Sequence, residues 1–324
     1  MKSCWIKTEG GKAILEFRDV PQPQAKAGEI VVRVHATAMN RGELIVGGVV
    51  HGGAEKIGGT EAAGIVHAVG EGVTSFRPGE RVMGRARGGF AEYTVMDARQ
   101  AMPVPACLSW EQAAAVPVAF LTAYEMLFEC GRLKRGEWLL ITGVSSGVGV
   151  ASVQIAKVIG ASVIGTSGSA QKLTTLKAAG LDLGIETRAP DFAGKVKAAT
   201  GGGGADLIVN CVGGSVFQEC VRTLAYQGRL ATVGYVDGML KSEIDLGALH
   251  ANRYVLFGVS NAKLGPAQRA ETVRGFVRDV LPALGDGRIV PVIDKVYAFD
   301  ELPLAKQRME ANAQTGKIVV RVAN

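Results

Sequence analysis

The residues with the clearest chemical potential lie between positions 138 and 160, WLLITGVSSGVGVASVQIAKVIG. Apolar residues 138–141 predict a buried strand, and Gly143 to Gly149 predict a turn built from small residues. The helix after the turn puts Val148, Ser152, Ile155 and Ile159 on one face and Gln154 and Lys157 on the other, and Gly160 ends it. So small a turn lets a pyrophosphate approach the backbone, while the start of the helix offers N–H groups and a partial positive charge. Ser146, Gly147, Val148 and Gly149 are the candidate contacts. A glycine turn alone is also compatible with mere tight packing. Set between a buried strand and an amphipathic helix, it reads as a dinucleotide site.

The end of the following strand distinguishes one dinucleotide from another. NAD sites place an acidic residue about 20 residues past the glycines to bond the ribose 2′-hydroxyl. Here no acidic residue occurs between Glu137 and Asp182, and Ser167, Ser169 and Lys172 stand in its place. Hydroxyls and an ammonium suit a 2′-phosphate, which a carboxylate would repel. The expected cofactor is therefore NADPH, the plainer alternative being that Lys172 is a solvated helix residue.

These residues need a framework. From 138 onward strands and helices alternate, through SVIGT, AQKLTTLKAAG, DLIVNC and RLATVG, which predicts a doubly wound parallel sheet. Residues 28–105 differ: short apolar runs such as EIVVRVHATAM and FAEYTVM are broken by glycine turns, the texture of a β-rich domain. Between the two lies a helical stretch, with Ser109 as its N-cap. The last residues return to strand with KIVVRV. The expected division is 1–115 with 285–324 for the β-rich domain, discontinuous in sequence, and 116–284 for the nucleotide domain.

Composition narrows the class further. A chain of 324 residues with 48% hydrophobic and 20% charged residues can bury a large core. No apolar run is long enough to span a bilayer, and the N-terminus lacks the apolar stretch of a signal peptide, so the expected location is the cytoplasm. The net charge of +6 is spread along the chain, which favours an anionic small ligand over nucleic acid. Five scattered cysteines form no C-x-x-C pair and point to no metal.

Taken together, GGTEAAGIVHAVGEGVTSFRPGERVMG, the glycine turn, SGSAQKL, NCVGG and GRLATVG resemble the zinc-free quinone oxidoreductases, or zeta-crystallin-like reductases, of the medium-chain dehydrogenase/reductase superfamily. The likeness runs over nearly the whole chain. It implies an α/β fold with a GroES-like β-rich catalytic domain and a Rossmann domain, the active site lying in the cleft between them. Zinc-dependent relatives carry a catalytic Cys and a Gly-His-Glu where this chain has Asn40 and Gly59-Thr60-Glu61. Without a thiolate and an imidazole the site lacks tetrahedral zinc ligands, and Glu61 is left as a structural hydrogen-bonding group. The resemblance further implies that Asn40 and Thr122 lie beside the nicotinamide. It implies too that Val212, Gly213 and Gly234 border the cofactor and that Phe257 and Ser260 belong to the stretch that reads the carboxamide.

Losing a Lewis acid disfavours simple alcohol chemistry and leaves electron-poor conjugated carbonyls, whose conjugation spreads the incoming negative charge. The expected activity is reduction of a quinone or enone by NADPH. His51, in GGVVHGG, is a candidate general acid because imidazole titrates near neutrality; it is otherwise a loop residue. Two tyrosines common near the substrate of bacterial relatives are matched by Ile45 and His51, and one that helps hold the 2′-phosphate is matched by Thr187. Alkenal or enoyl-thioester reduction is the alternative, weakened because related thioester reductases use a tyrosine in this region and none occurs between residues 1 and 92. A non-enzymatic NADPH-binding crystallin or RNA-binding role is the third reading. Relatives pair the edges of their cofactor sheets, so a homodimer is expected.

Overall fold

The computed structural model describes residues 1–45, 55–261 and 263–322. It divides into two units, Met1–Leu121 with Ala262–Asn324 and Thr122–Asn261. Among the described residues no helix is long and apolar enough to cross a membrane.

The first unit opens with strands β1 (Lys2–Glu9), β2 (Lys12–Asp19), β3 (Glu29–Ala38) and β4 (Glu55–Ile57). It continues with β5 (Glu61–Val69), β6 (Arg81–Arg85), β7 (Tyr93–Asp97) and β8 (Ala101–Pro103), then helices α1 (Trp110–Ala114) and α2 (Pro117–Tyr124). A capping box between Ser109 and Gln112 starts α1 as the sequence predicts. The single long helix expected there is broken: Pro117 opens a new helix, and α2 runs into a π-helical turn at Glu125–Cys130.

In the second unit strands and helices alternate: β9 (Trp138–Thr142), α3 (Gly147–Ile159), β10 (Ser162–Ser167), α4 (Ala170–Lys177), β11 (Leu183–Glu186) and α5 (Ala193–Ala199). There follow β12 (Ala205–Asn210), α6 (Phe217–Thr223), β13 (Leu224–Thr232), α7 (Leu246–Asn252) and β14 (Val255–Gly258). All these strands are parallel, in the order β11-β10-β9-β12-β13-β14. Leu140, Ile164, Ile208 and Leu230 fill the sheet centre and pack with Phe192, Val196 and Val221. The order reverses direction from β9, which puts a topological switch point between the adjacent strands β9 and β12 at the carboxyl edge.

The chain then returns to the first unit through α8 (Pro266–Asp279), α9 (Leu281–Gly285), β15 (Ile293–Ala298), α10 (Leu302–Glu310) and β16 (Lys317–Arg321). Strand β16 pairs antiparallel with β3, Val319 opposite Ala38, inside the sheet β15-β16-β3-β5-β6-β8. The observed unit boundaries differ from the expected 115/116 and 284/285. Helix α8 packs on β8 and on the turn 98–100, which assigns 262–284 to the first unit; the first half of α2 belongs there too, its Val118 N–H bonded to Glu61.

The expected two-faced α3 also differs. Gly149 to Ala156, Gln154 included, are buried, while Val148 is half-exposed. Helix α3 packs against β9 and β10 on one side and against the π-helical turn on another, which leaves no broad solvent face.

Candidate functional site

In the second unit the predicted cofactor residues gather at the carboxyl ends of the parallel strands. Ser146 caps α3, its hydroxyl accepting from Gly149 N at 3.1 Å, so the N–H groups of Gly147 and Val148 open the helix without an intrahelical acceptor. Gly149 is required by close approach, since a Cβ there would stand 2.5 Å from the carbonyl oxygen of Val144. Ser167 ends β10, Val212 and Gly213 follow β12, Gly234 follows β13, and Phe257 and Ser260 lie at the end of β14 and just beyond. This is a row of strand ends and one helix N-terminus, an arrangement that fits a dinucleotide pyrophosphate.

A polar pair that sequence reasoning missed shapes this edge. Thr142 Oγ1 donates to Asn210 Oδ1 at 2.9 Å, both residues being fully buried at adjacent strand ends. Asn210 Oδ1 also accepts from Val212 N and Gly213 N, at 3.0 and 3.1 Å, while its amide donates to Gly213 O at 2.9 Å. The N–H groups of Val212 and Gly213 are thereby consumed within the loop, so these residues offer a surface rather than donors. The next loop is held by Asp237, whose carboxylate accepts from Ser215 N and Met239 N at 2.8 and 2.9 Å. Those bonds keep the Asp237 carboxyl below the usual range although its partial burial acts the other way. Cys211, between the strand and the loop, is buried, and burial pushes its thiol up to about 12. It is therefore neutral, with no nucleophilic character near pH 7.

Of the 2′-phosphate candidates, Ser167 is 7% exposed, and the Ser169 hydroxyl is used in capping α4, accepting from Lys172 N at 3.4 Å. An acidic side chain does reach this point, from a strand the linear reading passed over: Glu186 Oε1 accepts from Ala170 N at 3.2 Å. Thr122 is buried in the second half of α2. His51 lies outside the described residues.

The first unit holds Asn40 in a dense polar cluster. Lys317, at the start of β16 and 5% exposed, donates from Nζ to Glu61 Oε1 and to Asn40 Oδ1, each at 2.7 Å. Asn40 Nδ2 donates to Glu61 Oε1 at 2.7 Å and to Glu43 Oε1 at 2.9 Å. Thr60 Oγ1 donates to the same Glu43 oxygen at 2.6 Å, and Glu61 Oε2 accepts from Val118 N at 2.7 Å. Both ends of the Asn40 amide are engaged, so the structure gives this residue the role of a connector. Glu61 is the hydrogen-bonding hub that its sequence position suggested. Sequence reasoning missed Lys317 and Glu43; an isolated lysine just before an apolar strand and an Asn-x-x-Glu spacing were the available signals.

Within this cluster, ion-pairing accounts for one of the two buried carboxylates. Lys317 balances Glu61, while Glu43 is buried without a cation of its own, and its Oε2 has no hydrogen-bond partner. Burial pushes the Glu43 carboxyl up, against the opposing pull of Thr60 and Asn40. The proton-bound form leaves the cluster neutral, with one ammonium and one carboxylate.

Two substitutions test this balance. Lys317→Met leaves Glu61 buried and uncompensated and should cost roughly 3–5 kcal/mol in urea unfolding, much of it recovered in the Lys317→Met/Glu61→Gln double variant. Glu43→Gln keeps the acceptor for Thr60 and Asn40 while removing the ionisation. The folded chain holds the Glu43 proton more tightly than the unfolded chain does. Wild-type stability from this group is therefore full below the ordinary carboxyl range and is lost as pH rises through the higher folded value. The melting temperature of Glu43→Gln relative to wild type should accordingly climb as pH rises above the ordinary carboxyl range.

Comparison with known proteins agrees with this architecture. Residues 147–277 match the family described as zinc-binding dehydrogenase, and residues 26–106 match the alcohol dehydrogenase GroES-like domain. Erythronolide synthase EryA2 of Saccharopolyspora erythraea is 36% identical over 305 residues, which is 93% of this chain, although the chain spans only 8% of that synthase. A mycobacterial protein, Rv1454c, solved in complex with NADPH, superposes with a TM-score of 0.89 at 28% identity, covering 99% of this chain and 100% of that one. A mycobacterial quinone oxidoreductase superposes at 0.86 with the same identity and coverage. The first family description implies zinc, and the described residues do not fit that ion. An ammonium already occupies the Glu61 carboxylate, and no group of three His, Cys, Asp or Glu side chains stands together. With a GroES-like domain and a Rossmann domain in one chain, the protein belongs to the medium-chain dehydrogenase/reductase superfamily.

Proposed function

We propose that this chain is an NADPH-dependent reductase of the zinc-free quinone oxidoreductase kind, acting on quinones or other electron-poor conjugated carbonyls. The observation that carries the proposal is the Lys317–Glu61–Asn40 cluster, in which a buried lysine supplies the positive charge at a position where zinc relatives keep metal ligands. A site so arranged has no Lewis acid to offer an alkoxide, and it suits acceptors that disperse charge themselves. Bound NADPH supplies the hydride, and the substrate takes up one proton from solvent to complete the reduction. Gly147 and Val148 would hold the pyrophosphate through their N–H groups, while Gly149 lets the start of α3 pack against Val144. The likeness to a mycobacterial quinone oxidoreductase and to an NADPH-bound mycobacterial protein supports the reading.

Reduction of an enoyl thioester is the second reading, favoured by the 36% identity to a polyketide synthase. We also take the protein to be cytoplasmic and a homodimer. Strand β14 is an edge of its sheet, and Val255 within it and Leu246 in the preceding α7 are 50% and 69% exposed, a surface suited to edge pairing between two copies.

The deciding experiment titrates the protein with NADPH and NADH by nicotinamide fluorescence, then offers 9,10-phenanthrenequinone, a simple enone and an enoyl thioester while following loss of the reduced-nicotinamide absorbance. Consumption of NADPH with the quinone or enone, and little with the thioester, is the expected result. Turnover of the thioester alone selects the second reading, and binding of neither nucleotide overturns both. Light scattering on the same sample should give twice the mass of one chain.

A further inference from the structure

Strands β10 and β11 run parallel in a register that sets Ser167 beside Glu186, and Thr187 N bonds Ser167 O at 2.9 Å. The end of the second strand and the turn after β11 thus form one ledge. Two side chains of opposite charge reach across it from the β11 side. Glu186 caps the first N–H of α4, at Ala170. Arg188 lies over Gly168, so closely that a Cβ on that glycine would stand 2.8 Å from the guanidinium carbon. Arg188 is exposed, and among the described residues it has neither an ion-pair nor a hydrogen-bond partner.

In a doubly wound fold the adenosine ribose and its 2′ substituent sit just past the end of the second strand. Ser167 and Gly168 occupy that place here. An unpaired guanidinium is a strong receptor for a phosphate dianion, and it gains nothing comparable from a hydroxyl. A carboxylate does the reverse: it accepts a hydrogen bond from a 2′-hydroxyl and repels a 2′-phosphate.

Resting on the dinucleotide reading above, we infer that Arg188 and Glu186, delivered by the neighbouring strand, are the residues that set the choice between NADPH and NADH. Arg188 receives the 2′-phosphate, and Glu186 opposes it while tied to the start of α4. Selectivity is therefore the difference between two opposed charges. It is adjustable in both directions without touching the pyrophosphate turn.

The test is equilibrium binding, read by nicotinamide fluorescence, of NADPH and NADH to the wild type and to Arg188→Ala, Arg188→Lys and Glu186→Gln, with melting temperatures confirming that each variant folds. Arg188→Ala should weaken NADPH by at least roughly tenfold and leave NADH within about twofold, with Arg188→Lys recovering part of the loss. Glu186→Gln should tighten NADPH by roughly three- to tenfold and leave NADH equal or weaker. Equal losses for both nucleotides, or no change in either, overturn the inference while the dinucleotide reading stands. If the wild type binds neither nucleotide, that reading falls and the inference with it.

Discussion

An ammonium and a carboxylate buried side by side constrain the first unit more than any apolar contact does. Taking either ion alone out of water costs several kcal/mol, and the pair is tolerable only when every remaining hydrogen bond is made. Lys317 meets that demand with Glu61 and Asn40; Glu61 meets it with Lys317, Asn40 and Val118 N. The participants come from β16, β5, the end of β3 and the start of α2. The C-terminal strand is therefore tied by charge to Glu61 of β5, 256 residues earlier. The amide of Asn40 has one orientation in which its oxygen faces the ammonium and its nitrogen faces two carboxylates. Glu43, which shares the Asn40 amide with Glu61, has no cation of its own, and burial pushes its carboxyl up.

The second unit solves a related problem without charge. Parallel strands end in unpaired backbone groups, and here they end beside a ligand-binding edge. Asn210 and Thr142 satisfy those groups from within: one amide side chain meets two N–H groups and a carbonyl of the loop that follows. A loop tied internally in this way has less to lose in ordering when a ligand binds.

The sequence made the Rossmann half legible because its signals are local. The glycine turn and the strand–helix alternation each fit within one window, and each is found where the spacing predicts. Pro117 is equally visible within the helical run AAAVPVAFLTAYEM, and the helix divides there. The domain boundary at 261/262 was not legible, because α8 resembles any surface helix and only its packing on β8 assigns it. The acid at the ribose end was missed for a sharper reason. Scanning about 20 residues past the glycines follows the chain, whereas the parallel register of β10 and β11 brings Glu186 to Ser167 from the next strand. Lys317 was missed likewise: its partner is 256 positions away.

Hydrogen-bond satisfaction separates the polar residues of this chain into two kinds. Asn40, Glu61, Lys317 and Asn210 have their polar capacity largely used by the protein itself, so their chemistry is committed to holding the backbone. The N–H groups at the start of α3 and the guanidinium of Arg188 are different: they stand at the carboxyl edge with no internal acceptor. A folded chain leaves such donors open only where solvent or a ligand completes them. On the proposed reading they would meet the two points where a dinucleotide carries its negative charge, the pyrophosphate and the 2′ position. The open donors of α3 belong to the turn that carries the clearest sequence signal, whereas Arg188 lies in no motif and becomes visible only through its place beside Gly168.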